Sequence, residues 1–180
     1  MAEQIGLSLP VQSSSGIDDF LISDCNSMAV SLLEDWENWP NLKHTLSGPA
    51  ASGKTHLGCI WARQTNAFFL DAKTLKISDV DRIATTPLAI DNVSEMNAAS
   101  EQEEALFHLH NLLQERKLPF LLIGTRSPKF WNISLSDLNS RIQGARNAQI
   151  NEVDEKLFPL LMAKLFADRQ MYPSPDVFEY

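Results

Sequence analysis

Lys43-His44-Thr45-Leu46-Ser47-Gly48-Pro49-Ala50-Ala51-Ser52-Gly53-Lys54-Thr55 is the stretch whose reading decides the fold. Lys43–Ser47 reads as a short strand, residues 48–53 as a glycine-bounded turn, and Lys54–Gln64 as a helix. A turn of this kind ahead of a helix aims backbone N–H groups at one spot, where the helix dipole also favours negative charge. Such a spot holds phosphate. Gly48, Pro49, Ala50, Ala51, Ser52 and Gly53 would form the cradle, and the small side chains of Ala50, Ala51 and Ser52 let the backbone wrap closely around an anion. Lys54 is placed to reach the β- and γ-phosphates, and Thr55 to offer a hydroxyl to Mg2+.

Outward from this loop, short apolar runs recur at Ala67-Phe68-Phe69-Leu70, Leu88-Ala89-Ile90, Phe120-Leu121-Leu122-Ile123 and, more weakly, Ala148-Gln149-Ile150. Helical patterns separate most of them. The strongest covers residues 101–116, with Ala105, Leu106, Leu109, Leu112 and Leu113 on one face. An earlier one begins at Ser23, read as its cap, carries Met28, Ala29, Leu32, Leu33 and Trp36, and stops at Pro40. A last one, capped by Asp154, runs over residues 154–169 with Leu157, Leu161 and Leu165 in a stripe and Pro159 in its first turns. Strands alternating with helices predict an α/β fold with a central parallel sheet covered on both faces.

Leu88-Ala89-Ile90-Asp91 ends a buried strand in a carboxylate, which makes Asp91 the candidate partner of Mg2+ at a phosphate site; otherwise Asp91 caps a turn. Asn92 follows, where a second carboxylate would polarise an attacking water, and a carboxamide cannot act as a base. Rapid hydrolysis by the chain itself is therefore not expected. His56 adjoins the loop and is grouped with it, although alone it reads as structural, like His108 and His110. Trp36, Trp39, Trp61 and Trp131 read first as packing residues.

The 180 residues suffice for one well-filled domain, expected over 18–172. Residues 1–17, with the run Ser13-Ser14-Ser15-Gly16, read as a flexible arm. A net charge of −8 argues against direct DNA binding, which depends on clustered Lys and Arg. Cys25 and Cys59 lie apart without a CxxC partner, so reduced structural thiols are expected. No stretch approaches the ~20 apolar residues of a membrane span, no membrane association is expected, and the expected compartment is cytoplasmic.

With these residues in hand, the chain resembles the AAA+ family of P-loop NTPases, with their three-layer αβα architecture, and within it the Hda family of DnaA-related regulators. The likeness includes the loop, the segment Asp19-Phe20-Leu21-Ile22 with Asn26 and Ala29, and Leu88-Ala89-Ile90-Asp91-Asn92. It implies that Phe20 and Asn26 help hold an adenine, so that ADP or ATP is the ligand, with ADP favoured by Asn92. Leu121-Leu122-Ile123-Gly124-Thr125 resembles the strand that brings a polar sensor to the γ-phosphate; glycine stands where threonine is usual, leaving Thr125 as candidate. Leu135-Ser136-Asp137-Leu138-Asn139-Ser140-Arg141 resembles the segment ending in the family's arginine finger, which implies that Arg141 acts in trans on ATP held by another protein. Gln4, Leu7 and Leu9 resemble the short motif that docks such regulators on the DNA polymerase sliding clamp.

The resemblance implies a regulator that, tethered to the clamp, stimulates ATP hydrolysis on DnaA and so restrains replication initiation. DnaA and the clamp would be its partners, and a homo-oligomer is compatible with it. The family's helical lid would begin at 173–180 and is expected to be truncated, through either a fragment or a reduced lid. The alternative is a self-sufficient P-loop ATPase of the helicase-loader type, or a small-molecule kinase, which the loop alone permits.

Overall fold

Five strands run parallel in one sheet: β1 (Lys43–Ser47), β2 (Phe68–Asp71), β3 (Leu88–Asp91), β4 (Phe120–Gly124) and β5 (Arg146–Gln149), in the order β2-β3-β4-β1-β5. The structure, a computed structural model, describes residues 20–171. Around the sheet lie α1 (Ser27–Glu34), α2 (Lys54–Gln64), the single turn α3 (Val80–Ile83), α4 (Glu101–Glu115), α5 (Ser136–Gln143) and α6 (Leu157–Asp168).

Because side chains alternate across a strand, the apolar runs feed two cores. Leu88, Ile90, Phe120 and Leu122 pack on one face with Val80 and Ile83 of α3, Leu106 and Leu109 of α4, and Leu138 of α5. Leu46, Ala89, Leu121, Ile123 and Ala148 face the other way, onto Ala29 and Leu33 of α1 and Leu57, Ile60 and Trp61 of α2. The expected three-layer αβα arrangement is thus realised. Trp39, Trp61 and Trp131 are buried and Trp36 half-buried against the core, as their reading as packing residues requires.

The boundaries differ where tertiary contacts outrank local pattern. The expected helix from Ser23 to Pro40 is only α1, followed by 3-10 turns at Trp36–Asn38 and Pro40–Leu42. Ser23 is not its cap: Asn26 holds that position, while its carboxamide accepts from the Ser23 amide (2.9 Å) and donates to the Leu21 carbonyl (2.9 Å). Asn41 and Leu42 take positive φ angles of 53° and 55°, which no helix continues through. The weak run around Ala148 is β5, beginning two residues earlier at Arg146 on an edge of the sheet.

The start of α4 ties the far face together. Ser100 caps it by accepting from the Glu103 amide, and the buried Glu103 carboxylate accepts from Ala99 N, Ser134 Oγ and Leu135 N at 2.6–2.7 Å. Burial opposes this charge, but the donors of Leu135, Ser134 and Ala99 outweigh it and hold the carboxyl below its ordinary value. The loop entering α5 is fixed thereby.

Two imidazoles lie in this interior without a hydrogen-bond partner for either ring nitrogen among the described residues. His44 on β1 stacks on Trp39 with centroids 4.7 Å apart, and His110 on α4 meets the Phe120 ring edge-on at 5.1 Å. Burial, with Arg146 nearby for His44 and Lys43 and Arg141 nearby for His110, pushes both down to about 4. The unfolded chain binds protons first as pH falls below the ordinary histidine value of 6.5. Stability is then lost between that value and about 4, on the order of 2 kcal/mol per histidine by about pH 5. Urea unfolding at about pH 7.5 and about pH 5 is expected to show this loss, and His44→Phe with His110→Phe to remove most of it; an unchanged slope in the double variant would refute the assignment.

Candidate functional site

The loop leaves β1, an inner strand between β4 and β5, and its backbone is shaped by two left-handed residues, Ala51 (φ 60°) and Gly53 (φ 90°). Gly53 caps α2 in this conformation, which glycine adopts without strain. Gly48 is needed for a different reason: a Cβ there would lie 2.5 Å from the Ile150 carbonyl oxygen, so the loop could not pass. Within the turn the Ser52 hydroxyl is buried and has no partner among the described residues. Lys54 folds back, its Nζ donating to the Pro49 carbonyl. Burial pushes its ammonium below the usual lysine value, opposed by the carboxylates of Asp91 and Glu95. An orphaned hydroxyl and a partly desolvated ammonium are what an anion in this turn would satisfy.

β3 brings the second half. The Thr55 hydroxyl donates to Asp91 Oδ2 at 2.5 Å, and Asp91 Oδ1 accepts from the Asn92 amide at 2.7 Å. A hydroxyl and a buried carboxylate meeting here are hard oxygen donors, the set that Mg2+ takes alongside water and phosphate oxygens. Thr55 and Asp91 would hold that ion.

On one flank of the loop, Phe20, Asn26, His56, Gly53, Leu157 and Leu161 line a cavity of about 370 Å³. The Phe20 ring meets His56 edge-on at 5.6 Å and lies 3.4 Å from where a Gly53 Cβ would stand. Since Asn26 uses its carboxamide on Ser23 and Leu21, it supplies the wall of this cavity by fixing residues 21–26. On the other flank, residues 47–50, Thr125, Arg126 and Lys129 border a wider cleft of about 820 Å³.

Thr125 stands at the end of β4, where its amide and hydroxyl both bond Ser94 Oγ, at 2.9 and 3.1 Å. Gly124 before it has no room for a side chain: a Cβ would lie 2.7 Å from the Trp131 indole, whose Nε1 donates to the Arg126 carbonyl at 2.6 Å.

Arg141 is not brought to this site. Its carbonyl accepts from Nζ of Lys43, the residue that opens β1 at the end away from the loop. Its guanidinium donates to Asn111 Oδ1 (2.8 Å), pairs with Asp137 (2.8 Å) and lies 5.7 Å from the Phe107 ring. Gln4, Leu7 and Leu9 lie outside the described residues.

Asp71, Lys73, Ser94 and Glu95, around the end of β3, escaped the sequence reading. Asp71 ends β2 in register with Asp91, and Asn92 Nδ2 donates to its Oδ2 at 2.7 Å. Asn92 itself sits at φ 59°, a left-handed position that asparagine tolerates well. Beyond it, the 3-10 turn Val93–Glu95 carries Ser94 onto Thr125, and Glu95 pairs with Lys73 at 2.6 Å. The available signal was Asp71 directly after the run ending at Leu70, one strand over from Asp91.

No family model and no curated protein sequence matches this chain. Among solved structures it is similar to domain III of DnaA from Thermotoga maritima, with TM-score 0.78 and 18% identity over 94% of this chain and 80% of that one. AMPPCP-bound DnaA from Aquifex aeolicus matches with TM-score 0.76 and 16% identity, over 94% of this chain and 60% of that one. The fold is that of the AAA+ P-loop NTPases. RuvB, the Holliday junction branch migration motor of Thermotoga maritima, shares it with TM-score 0.61 and 25% identity over 87% of this chain and 54% of that one. The chain thus spans about three-fifths of the Aquifex DnaA chain and about half of the RuvB chain. Among the described residues, no helix is long and apolar enough to cross a membrane.

Lys54→Ala removes the ammonium aimed into the loop and leaves the Thr55–Asp91 contact in place. Titration with a fluorescent adenine nucleotide is expected to show at least a tenfold loss of affinity, about 1.4 kcal/mol, with circular dichroism unchanged. Equal affinity in both proteins would mean that the loop does not hold phosphate.

Proposed function

We propose that this chain is an adenine-nucleotide-binding AAA+ regulator of the Hda kind, which acts in the cytoplasm on DnaA. The observation that carries the reading is the separation of its two charged devices: Lys54, Thr55 and Asp91 gather at the carboxyl end of the sheet, while Arg141 stands beside Lys43 at the other. Along β1 the two ends are ~13 Å apart at a strand's rise per residue. An arginine so placed serves a nucleotide on a neighbouring molecule rather than its own.

Asp137 and Asn111 hold the guanidinium in a defined direction, and its side chain is 35% exposed. Such a partly exposed ion pair is weak enough to exchange for a phosphoryl group. In the transition state Arg141 would neutralise charge on the phosphoryl group of DnaA-bound ATP, a contribution of about 10³ to 10⁵ in rate for arginine fingers. The chain's own ADP or ATP, with Mg2+ at Thr55 and Asp91, then works as a conformational element. Gln4, Leu7 and Leu9 would tether the protein to the sliding clamp, so that DnaA is met at replicated DNA, and initiation is restrained. Attachment through the clamp also accommodates the net charge of −8, which opposes direct DNA binding.

Single-round ATP hydrolysis by DnaA on clamp-loaded DNA tests this. The full chain is expected to accelerate it, Arg141→Ala to lose the acceleration by on the order of 10³-fold, and removal of residues 1–11 to abolish the dependence on the clamp. Acceleration undiminished in Arg141→Ala would refute the finger, and clamp dependence without residues 1–11 would refute the tether.

A further inference from the structure

We propose that Arg126 reads the terminal phosphoryl group of the bound nucleotide, so that this chain holds ATP in preference to ADP. The inference rests on the nucleotide-binding half of the function proposed above and not on the part that concerns DnaA.

The two hollows beside the loop divide its residues between them. Ala51, Ser52 and Gly53 border the cavity of about 370 Å³ that Phe20 and Asn26 help to enclose, whereas Ser47, Gly48, Pro49 and Ala50 border the cleft of about 820 Å³. A nucleotide whose base enters the first lays its phosphates along the turn, with the last of them toward the second. Lys54 points to the same end: it opens α2, yet its ammonium is folded back onto the carbonyl of Pro49. The terminal phosphoryl group therefore faces the cleft, and the side chains around that cleft decide whether its charge is met.

Because β4 and β5 lie on either side of β1, the segments that follow them form the two walls of the cleft, and three charged residues line it: Arg126, Lys129 and Glu152. Lys129 is engaged by a neighbouring ring, with Nζ 4.7 Å from the Phe130 centroid. Glu152, on the β5 side, forms no ion pair among the described residues. The guanidinium of Arg126, on the β4 side, has neither a hydrogen bond nor an ion pair among the described residues. An unpaired arginine beside an anion-binding turn is a ready donor. Its planar fork offers parallel N–H groups to a phosphoryl group, and such charge-assisted bonds are stronger than neutral ones.

The backbone that carries this side chain is already fixed. Thr125 before it is bonded twice to Ser94, the Arg126 carbonyl accepts from Trp131 Nε1 at 2.6 Å, and the Phe130 amide closes the next turn onto the Ser127 carbonyl at 2.9 Å. Only the side chain has to settle when the phosphoryl group arrives, which limits the entropy lost on binding. A third phosphoryl group is what ATP has and ADP lacks, so a contact to it raises affinity for one and leaves the other unchanged. With Asn92 where a base would stand, bound ATP persists, and turnover does not erase the preference.

Displacement of a fluorescent adenine nucleotide from the full chain, with Mg2+ present, measures the affinities for ADP and for AMPPCP, which keeps the third phosphoryl group and resists hydrolysis. Wild type is expected to bind AMPPCP at least about tenfold more tightly than ADP, and Arg126→Gln to bring the two within about threefold at unchanged ADP affinity. Lys129→Gln is expected to keep the wild-type ratio. Equal affinities in wild type, an undiminished ratio in Arg126→Gln, or a ratio lost in Lys129→Gln instead would each overturn the proposal. An Arg126→Gln protein whose ADP affinity falls as far as its AMPPCP affinity overturns it too, since the residue would then not be reading the third phosphoryl group. A wild type that binds neither nucleotide overturns it together with the nucleotide-binding reading, and direct titration with the fluorescent probe records that outcome separately.

Discussion

The hydroxyl of Thr55 reaches the carboxylate of Asp91 across 36 positions of sequence, and the site is built around that contact. It can form only if β1 and β3 end within about a residue of the same level, because Thr55 lies in the first turn of the helix that follows β1 and Asp91 closes β3. Lying between them in the sheet, β4 enforces this: its register pairs Lys43 with Phe120 and Leu88 with the same Phe120, so all three strands start together. The polar groups at the site are therefore spaced by an apolar interior that none of them touches chemically.

This arrangement explains why so little charge is needed there. Asp91 is buried, yet its two oxygens are occupied, one by a hydroxyl and one by an amide. Lys54 is folded onto a carbonyl of its own turn. Each ionic group is held ready by a neutral partner that a phosphate or a cation can displace. Such preorganisation limits how much has to move when an anion enters, at some cost to the stability of the empty turn.

The loop and the central strands could be read from sequence because their causes are local: small residues in a tight turn, and unbroken apolar runs such as Phe120-Leu121-Leu122-Ile123. Other features depend on which residues become neighbours in three dimensions. Asp71 acquires meaning only through its register with Asp91, and Ser94 only because the turn after Asn92 carries its hydroxyl onto Thr125. Residues 72–87, which form 3-10 turns and the single turn α3, carry too short a period to announce themselves. The first helix begins late because Asn26 is spent bracing residues 21–23, and beyond it the chain breaks into 3-10 turns with Asn41 left-handed, events that an apolar stripe does not encode. Arg141 was picked out by resemblance, but its grip by Asn111, 30 residues away on α4, follows from packing.

Gly124 and Trp131 bear on how this site could change over generations. The indole occupies the space that any side chain at 124 would need, so a threonine cannot enter there while the tryptophan remains. Replacing Trp131 first would strand the Arg126 carbonyl and open a void in the core beneath it. The two positions are thus locked in order, with neither single step free, and a polar group facing this end of β4 has been left to Thr125 and Ser94. Descendants of this chain can vary those two hydroxyls far more easily than they can place a side chain at 124.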